Sequence, residues 1–134
     1  DELLCAAIGE GCFWNGRRAR VSSVDRLSSA SLCYTSSRSF AECGRQAAWE
    51  RLSGTARIER GWGDCYGHVL VATGRADVML DPIMNPWDCG PFPVILQEAG
   101  GTFTDWQGET TIHGADAVST NGHLYDDILR GLQA

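Results

Sequence analysis

Two periods of apolar residues run along this chain. Short apolar runs predict strands at 3–8, 30–35, 56–59, 77–81, 102–105 and 117–120. Cys12-Phe13-Trp14 and residues 18–21 flank Asn15-Gly16. That dipeptide suits a type I′ turn, whose two central residues both need positive φ, so the spacing predicts a hairpin. The wider period appears at Phe40, Cys43, Ala47 and Leu52, which predicts a helix over 39–52 closed by Gly54. Ser39 would cap that helix, with Glu42 as its capping-box partner. A second helix is expected over about 65–73, stopped by Gly74, and a last one over 123–132. The apolar run 92–96 predicts another, ended by Gly100-Gly101. Pro91 and Pro93 delay its start to about 91–93, because proline lacks the N–H of a helix interior and disfavours helical geometry in the residue before it. Strands alternating with helices, without repeats or low-complexity linkers, predict one α/β domain of layered α/β/α architecture.

This layout picks out candidate chemistry. Asp88 falls in the loop between strand 77–81 and the following helix. Open α/β sheets bind ligands at such strand ends. A carboxylate there caps the helix, holds a cation, or does both. Gly63-Asp64-Cys65 opens the second helix in the same way, where Asp64 is a good N-cap and Gly63 lets backbone approach a ligand. Arg17-Arg18-x-Arg20 reads as a solvated strand face. His68, His113 and His123 are dispersed and share no metal-ligand spacing, with His68 read as a packing or surface residue of its helix. The G-x-S-x-G elbow of serine hydrolases is absent.

Composition narrows the classes. The 134 residues are 43% apolar and 21% charged, ordinary for one globular domain. A net charge of −6 argues against non-specific nucleic-acid binding, and no apolar run approaches a membrane span of ~20 residues. The start, Asp1-Glu2, has neither a basic signal region nor an initiator Met, which predicts a processed, trimmed or incompletely given chain. Cysteines at 5, 12, 33, 43, 65 and 89 form no C-x-x-C pair. They read as buried, reduced thiols of a cytoplasmic protein.

Trp87-Asp88 followed by Glu98-Ala99-Gly100-Gly101 resembles the C-terminal signature of the inositol monophosphatase superfamily. The segments 9–16, 63–68, 71–77 and 101–108 are similar to its histidinol-phosphate phosphatase branch, so the resemblance covers essentially the whole chain. It implies a magnesium-dependent phosphomonoesterase, with Asp88 as a ligand of a catalytic magnesium ion and Trp87 packing the loop. It also implies that Gly63, Asp64 and Cys65 meet the organic part of the substrate and that Asp81 reaches it. Acidic groups at Asp64 and Asp81 suit the cation of histidinol phosphate better than neutral inositol phosphate. The family's Asp-Pro-x-Asp-Gly-Thr motif is missing: Asp81-Pro82-Ile83-Met84 begins like it and stops. The chain therefore resembles only the C-terminal half, and the expectation is negligible activity alone. Two alternatives follow: a non-catalytic binding or assembly domain that retains the fold, and a phosphatase for inositol, fructose or nucleotide phosphates. A half with five Trp is expected to cover its inner face by self-association, most simply as a homodimer.

Overall fold

The computed structural model describes residues 1–134. The chain begins with a three-stranded antiparallel sheet, β1 (Leu4–Ala7), β2 (Gly11–Trp14) and β3 (Arg17–Arg18), in the order β1-β2-β3. Asn15 and Gly16 both take positive φ, 49° and 77°, as the expected hairpin requires. Arg17, Arg18 and Arg20 are exposed, matching a solvated face.

A second sheet has five strands in the order β5-β4-β6-β8-β7. They are β4 (Ser31–Tyr34), β5 (Ile58–Gly61), β6 (Val78–Asp81), β7 (Thr102–Thr104) and β8 (Ala117–Thr120). β4 is parallel to both β5 and β6, while β8 is antiparallel to β6 and β7. The period of two sorts its side chains. Leu32, Val78, Leu80 and Val118 join one core; Cys33, Met79 and Ala117 join the other.

The first core is covered by α1 (Ser37–Glu42), α2 (Gln46–Thr55) and α6 (Tyr125–Gln133), through Phe40, Trp49, Leu52, Ile128 and Leu132. Phe40 stacks on Trp49 at 4.7 Å and on Trp106 at 5.9 Å between ring centroids. The Trp106 indole N–H donates to Ala117 O at 3.0 Å, so the largest buried side chain leaves no polar group unpaired. The second core is covered by α3 (Tyr66–Ala72) and α5 (Phe92–Ala99). The layered α/β/α class is as expected. The small sheet adds a further layer, packed on α5. There the Glu98 carboxylate accepts the N–H groups of Gly9 at 2.9 Å and Gly11 at 2.8 Å.

Several boundaries differ from the sequence expectation. The single helix over 39–52 is two helices. Gly44 sits at φ +70°, and the Arg45 N–H reaches back to Phe40 O at 2.6 Å. That is a Schellman-type stop, which only glycine enters without Cβ strain. Ser36, not Ser39, precedes α1 and makes no side-chain cap bond, and Gly54 lies inside α2. α6 starts at Tyr125, two residues late, after Gly122 at φ +84°. α5 does start late, at Phe92, behind Pro91. The Gly100-Gly101 stop is also as expected: Gly100 has φ +90°, and the Gly101 N–H meets Leu96 O at 2.8 Å.

All six cysteines are free. Cys12, Cys33 and Cys89 are buried, but Cys5 and Cys43 are exposed, because they lie on the outer face of β1 and just past the end of α1. No helix is long and apolar enough to cross a membrane.

Candidate functional site

The parallel strands β4, β5 and β6 all end on one side of the sheet, followed by Thr35, the 62–65 turn and the 82–90 segment. Asp81, the last residue of β6, is only 5% exposed. The Thr35 hydroxyl donates to its Oδ2 at 3.1 Å and accepts the Asp64 N–H at 3.2 Å. One threonine thus ties the ends of β4 and β6 to the turn after β5. Burial raises Asp81 from 3.8 to about 6, and the Asp64 and Asp88 charges push the same way. The bonds from Thr35 and from the Ile83 backbone oppose that shift.

Asp88 sits in α4 (Pro86–Cys89), a single turn that the sequence reading did not foresee. The Asn85 amide donates to its Oδ2 at 3.2 Å, and the Cys65 thiol donates to its backbone O at 3.0 Å. The second bond fixes α4 against the start of α3. Burial and then the Asp88 charge push the Cys65 thiol up, so Cys65 acts here as a neutral donor.

The structure therefore brings Asp64, Cys65, Asp81 and Asp88 together, and it corrects three details. Asp64 does not cap α3: the residue before that helix is Cys65, no side chain caps it, and Asp64 holds φ +57°. A left-handed non-glycine residue beside a candidate site is strain of the kind that accompanies function. At Gly63 a Cβ would meet only Thr35 Cγ2, at an ordinary 3.6 Å. Asp88 is not an N-cap either; it lies in the first turn of α4, behind Asn85. Trp87 does not pack the loop, because it is 79% exposed. Trp62, at 52% exposed, stands above Tyr66 with centroids 5.7 Å apart. Both indoles are thus exposed, Trp62 two residues before Asp64 in the chain and Trp87 one residue before Asp88.

Sequence reasoning missed Thr35. Its one signal is a hydroxyl residue immediately after a strand, at the sheet end where ligands bind. It also understated His68, which is fully buried between Phe92 and Phe103 at 5.0 and 5.7 Å. Its Nδ1 pairs with Ser119 Oγ at 2.7 Å and its Nε2 has no partner.

The donors suit a hard cation in kind, since carboxylate oxygens are what magnesium prefers. They do not suit one in number: no three His, Cys, Asp or Glu side chains stand close enough together to hold a metal ion.

Residues 1–133 match the inositol monophosphatase family. The chain is 37% identical over 132 residues to a histidinol-phosphatase of Chlorobaculum parvum, covering 98% of this chain and 51% of that protein. It is also 37% identical to the histidinol-phosphatase of Mycobacterium tuberculosis, over 96% of this chain and 52% of the relative. A fructose-1,6-bisphosphatase/inositol-1-monophosphatase of Thermotoga maritima is 30% identical over 97% of this chain and 50% of its own length. The inositol monophosphatase of Anabaena superposes with a TM-score of 0.88 at 28% identity, over 99% of this chain and 57% of that one. The chain thus spans about half the length of the curated relatives it matches. A family match over nearly every residue, carried by the same layered fold, means that this chain belongs to the inositol monophosphatase family.

Proposed function

We propose that this chain carries the substrate-recognising half of a magnesium-dependent phosphomonoesterase of the histidinol-phosphate type, acting in the cytoplasm. The observation that carries the reading is the Asp81 carboxylate, held by Thr35 between Asp64 and Asp88 at the strand ends. Clustered acids favour a cationic amino alcohol over a neutral polyol. The exposed indoles of Trp62 and Trp87, next to Asp64 and Asp88 in the chain, offer cation–π contacts. The histidinol-phosphatase relatives support the same substrate class. Asp88 would supply one hard oxygen ligand to magnesium, whose chemistry at a phosphate is charge neutralisation. Six free thiols fit a reducing compartment.

A second reading is a non-catalytic domain that keeps the fold and the binding surface. The incomplete set of metal donors favours it for the chain taken alone.

Calorimetry and phosphate release test both. The chain is expected to bind histidinol phosphate more tightly than inositol phosphate, to lose that preference in Asp81→Asn, and to release negligible phosphate with magnesium present. Equal binding of the two phosphates would sink the histidinol reading and leave inositol or another sugar phosphate. Vigorous magnesium-dependent turnover would sink the claim that this half is catalytically incomplete.

A further inference from the structure

The segment from Pro82 to Cys89 carries Asp88 away from the end of β6, and α4 is its one regular turn. Pro82 and Pro86 lack an N–H, so few of its amides can anchor it. One that does is Met84, whose N–H donates to Ala115 O at 2.8 Å. Ala115 belongs to the connection over 105–116 between β7 and β8. The same connection meets the far end of the segment, where the Cys89 thiol reaches Ile112 O at 3.7 Å. Asp81 itself stands opposite Ala117, so the connection prolongs the β6–β8 pairing past the carboxylate.

This connection is itself tied down. Asp105 Oδ1 accepts the Gln107 and Glu109 N–H groups, each at 2.9 Å, and Asp116 Oδ1 accepts the Trp106 N–H at 2.9 Å. Arg45 pairs with Asp116 Oδ2 at 3.5 Å. A Cβ on Gly114 would lie 2.4 Å from Asp105 Cβ, so the chain folds back closely on itself there. Ala115 follows with φ +65°. Left-handed backbone is disfavoured for alanine, because its Cβ crowds the following carbonyl oxygen. The Ala115 side chain is exposed, so no packing of its own accounts for that conformation. What the conformation sets is the direction of the Ala115 carbonyl. Backbone strain persists where the surroundings over-determine it, and it gathers at functional sites. Asp64, at the end of β5 on the other side of β4 and β6, is likewise left-handed and donates its N–H to Thr35.

We propose that Ala115 is a positioning residue for the acidic site: its left-handed turn aims the carbonyl that pins Met84, and Met84 fixes the segment between Asp81 and Asp88. The inference rests on reading those carboxylates as the substrate and metal site. The Ile83 N–H, one residue before the pin, serves the Asp81 carboxylate. Releasing Met84 would free that amide together with Asp88.

Amide exchange and calorimetry on the whole chain test this, with two variants at one exposed side chain. Ala115→Val opposes the left-handed turn, since a β-branched residue is an outlier at positive φ, whereas Ala115→Gly admits it freely. Ala115→Val is expected to speed exchange at Met84, to shift the Ile83 amide resonance and to weaken histidinol phosphate binding roughly tenfold, the equivalent of one hydrogen bond. Ala115→Gly is expected to keep all three at wild-type values. Equal effects of the two variants, or a folded Ala115→Val chain with Met84 still protected, would overturn the proposal. So would free exchange at Met84 in the wild-type chain, a measurement that needs no variant to fold. A wild-type chain that binds no histidinol phosphate would sink the substrate reading alone, because both amide measurements are made without ligand and still decide the role of Ala115.

Discussion

Asp81 and His68 are buried ionisable groups shifted in opposite senses, and the two shifts give opposing pH dependences. Asp81 binds its proton more tightly folded than unfolded, at about 6 against 3.8. Its contribution therefore falls as pH rises through that window, by a total of about 3 kcal/mol, and stays lost above it. Burial takes His68 from 6.5 down to about 3, so its contribution is full above 6.5 and is lost as pH falls towards 3. Each slope is about 1.4 kcal/mol per pH unit, and the two oppose each other between roughly 4 and 6. Urea titrations in metal-free buffer should show this. Relative to wild type, Asp81→Asn gains stability as pH rises from 4 to 6, and His68→Met gains as pH falls over the same range. Parallel pH profiles for wild type and both variants would refute the assignment. A second prediction concerns Thr35, whose hydroxyl bond lowers Asp81. Thr35→Val should move the Asp81 carboxyl titration upward by NMR. The carboxylates were legible in the sequence because a strand end and a Trp-Asp pair announce them. Thr35 was not, because a lone hydroxyl after a strand has no pattern until the neighbouring strand ends are in place.

At the scale of elements, glycine geometry and one carboxylate decide how the layers join. Gly101 follows α5 at a point where a Cβ would lie 2.5 Å from Thr120 O and 2.8 Å from Val21 Cγ1. A backbone oxygen of β8 cannot retreat as a flexible side-chain end can. Gly101→Ala is therefore expected to destabilise by roughly 1–3 kcal/mol, with the strain read as a lower midpoint in thermal unfolding. Glu98 joins α5 to the small sheet through two charge-assisted bonds to the Gly9 and Gly11 amides. Glu98→Ala should cost roughly 1–3 kcal/mol and raise exchange at those two amides selectively. Uniform exchange acceleration across all strands would instead mean global loosening. The Asn15-Gly16 hairpin and the Gly100-Gly101 stop were readable because each needs backbone that glycine or asparagine supplies locally. The break at Gly44 was hidden: Phe40 and Leu52, read together as part of one helical face, serve one core from two separate helices. The short α4 has too few residues to show any period at all.

For the molecule as a whole, the open question is how much of a metal site half a family fold can hold. Anything that binds only the folded state stabilises it by mass action, by about 0.4 kcal/mol when the free ligand equals its dissociation constant. Asp88 offers one carboxylate, and Asp81 holds its proton up to about 6 because it is buried from water and, to a lesser degree, because its neighbours are acidic. A divalent cation between them would relieve that repulsion, but without a third donor nearby it must keep most of its water. Millimolar magnesium is therefore expected to shift unfolding of the isolated chain by less than about 0.4 kcal/mol, and Asp88→Asn should not change that result. The relatives run to about twice this length, so a protein completed to theirs should gain a larger shift that does depend on Asp88. If magnesium instead stabilises the 134-residue chain strongly and Asp88→Asn abolishes the effect, further donors must come from a second copy.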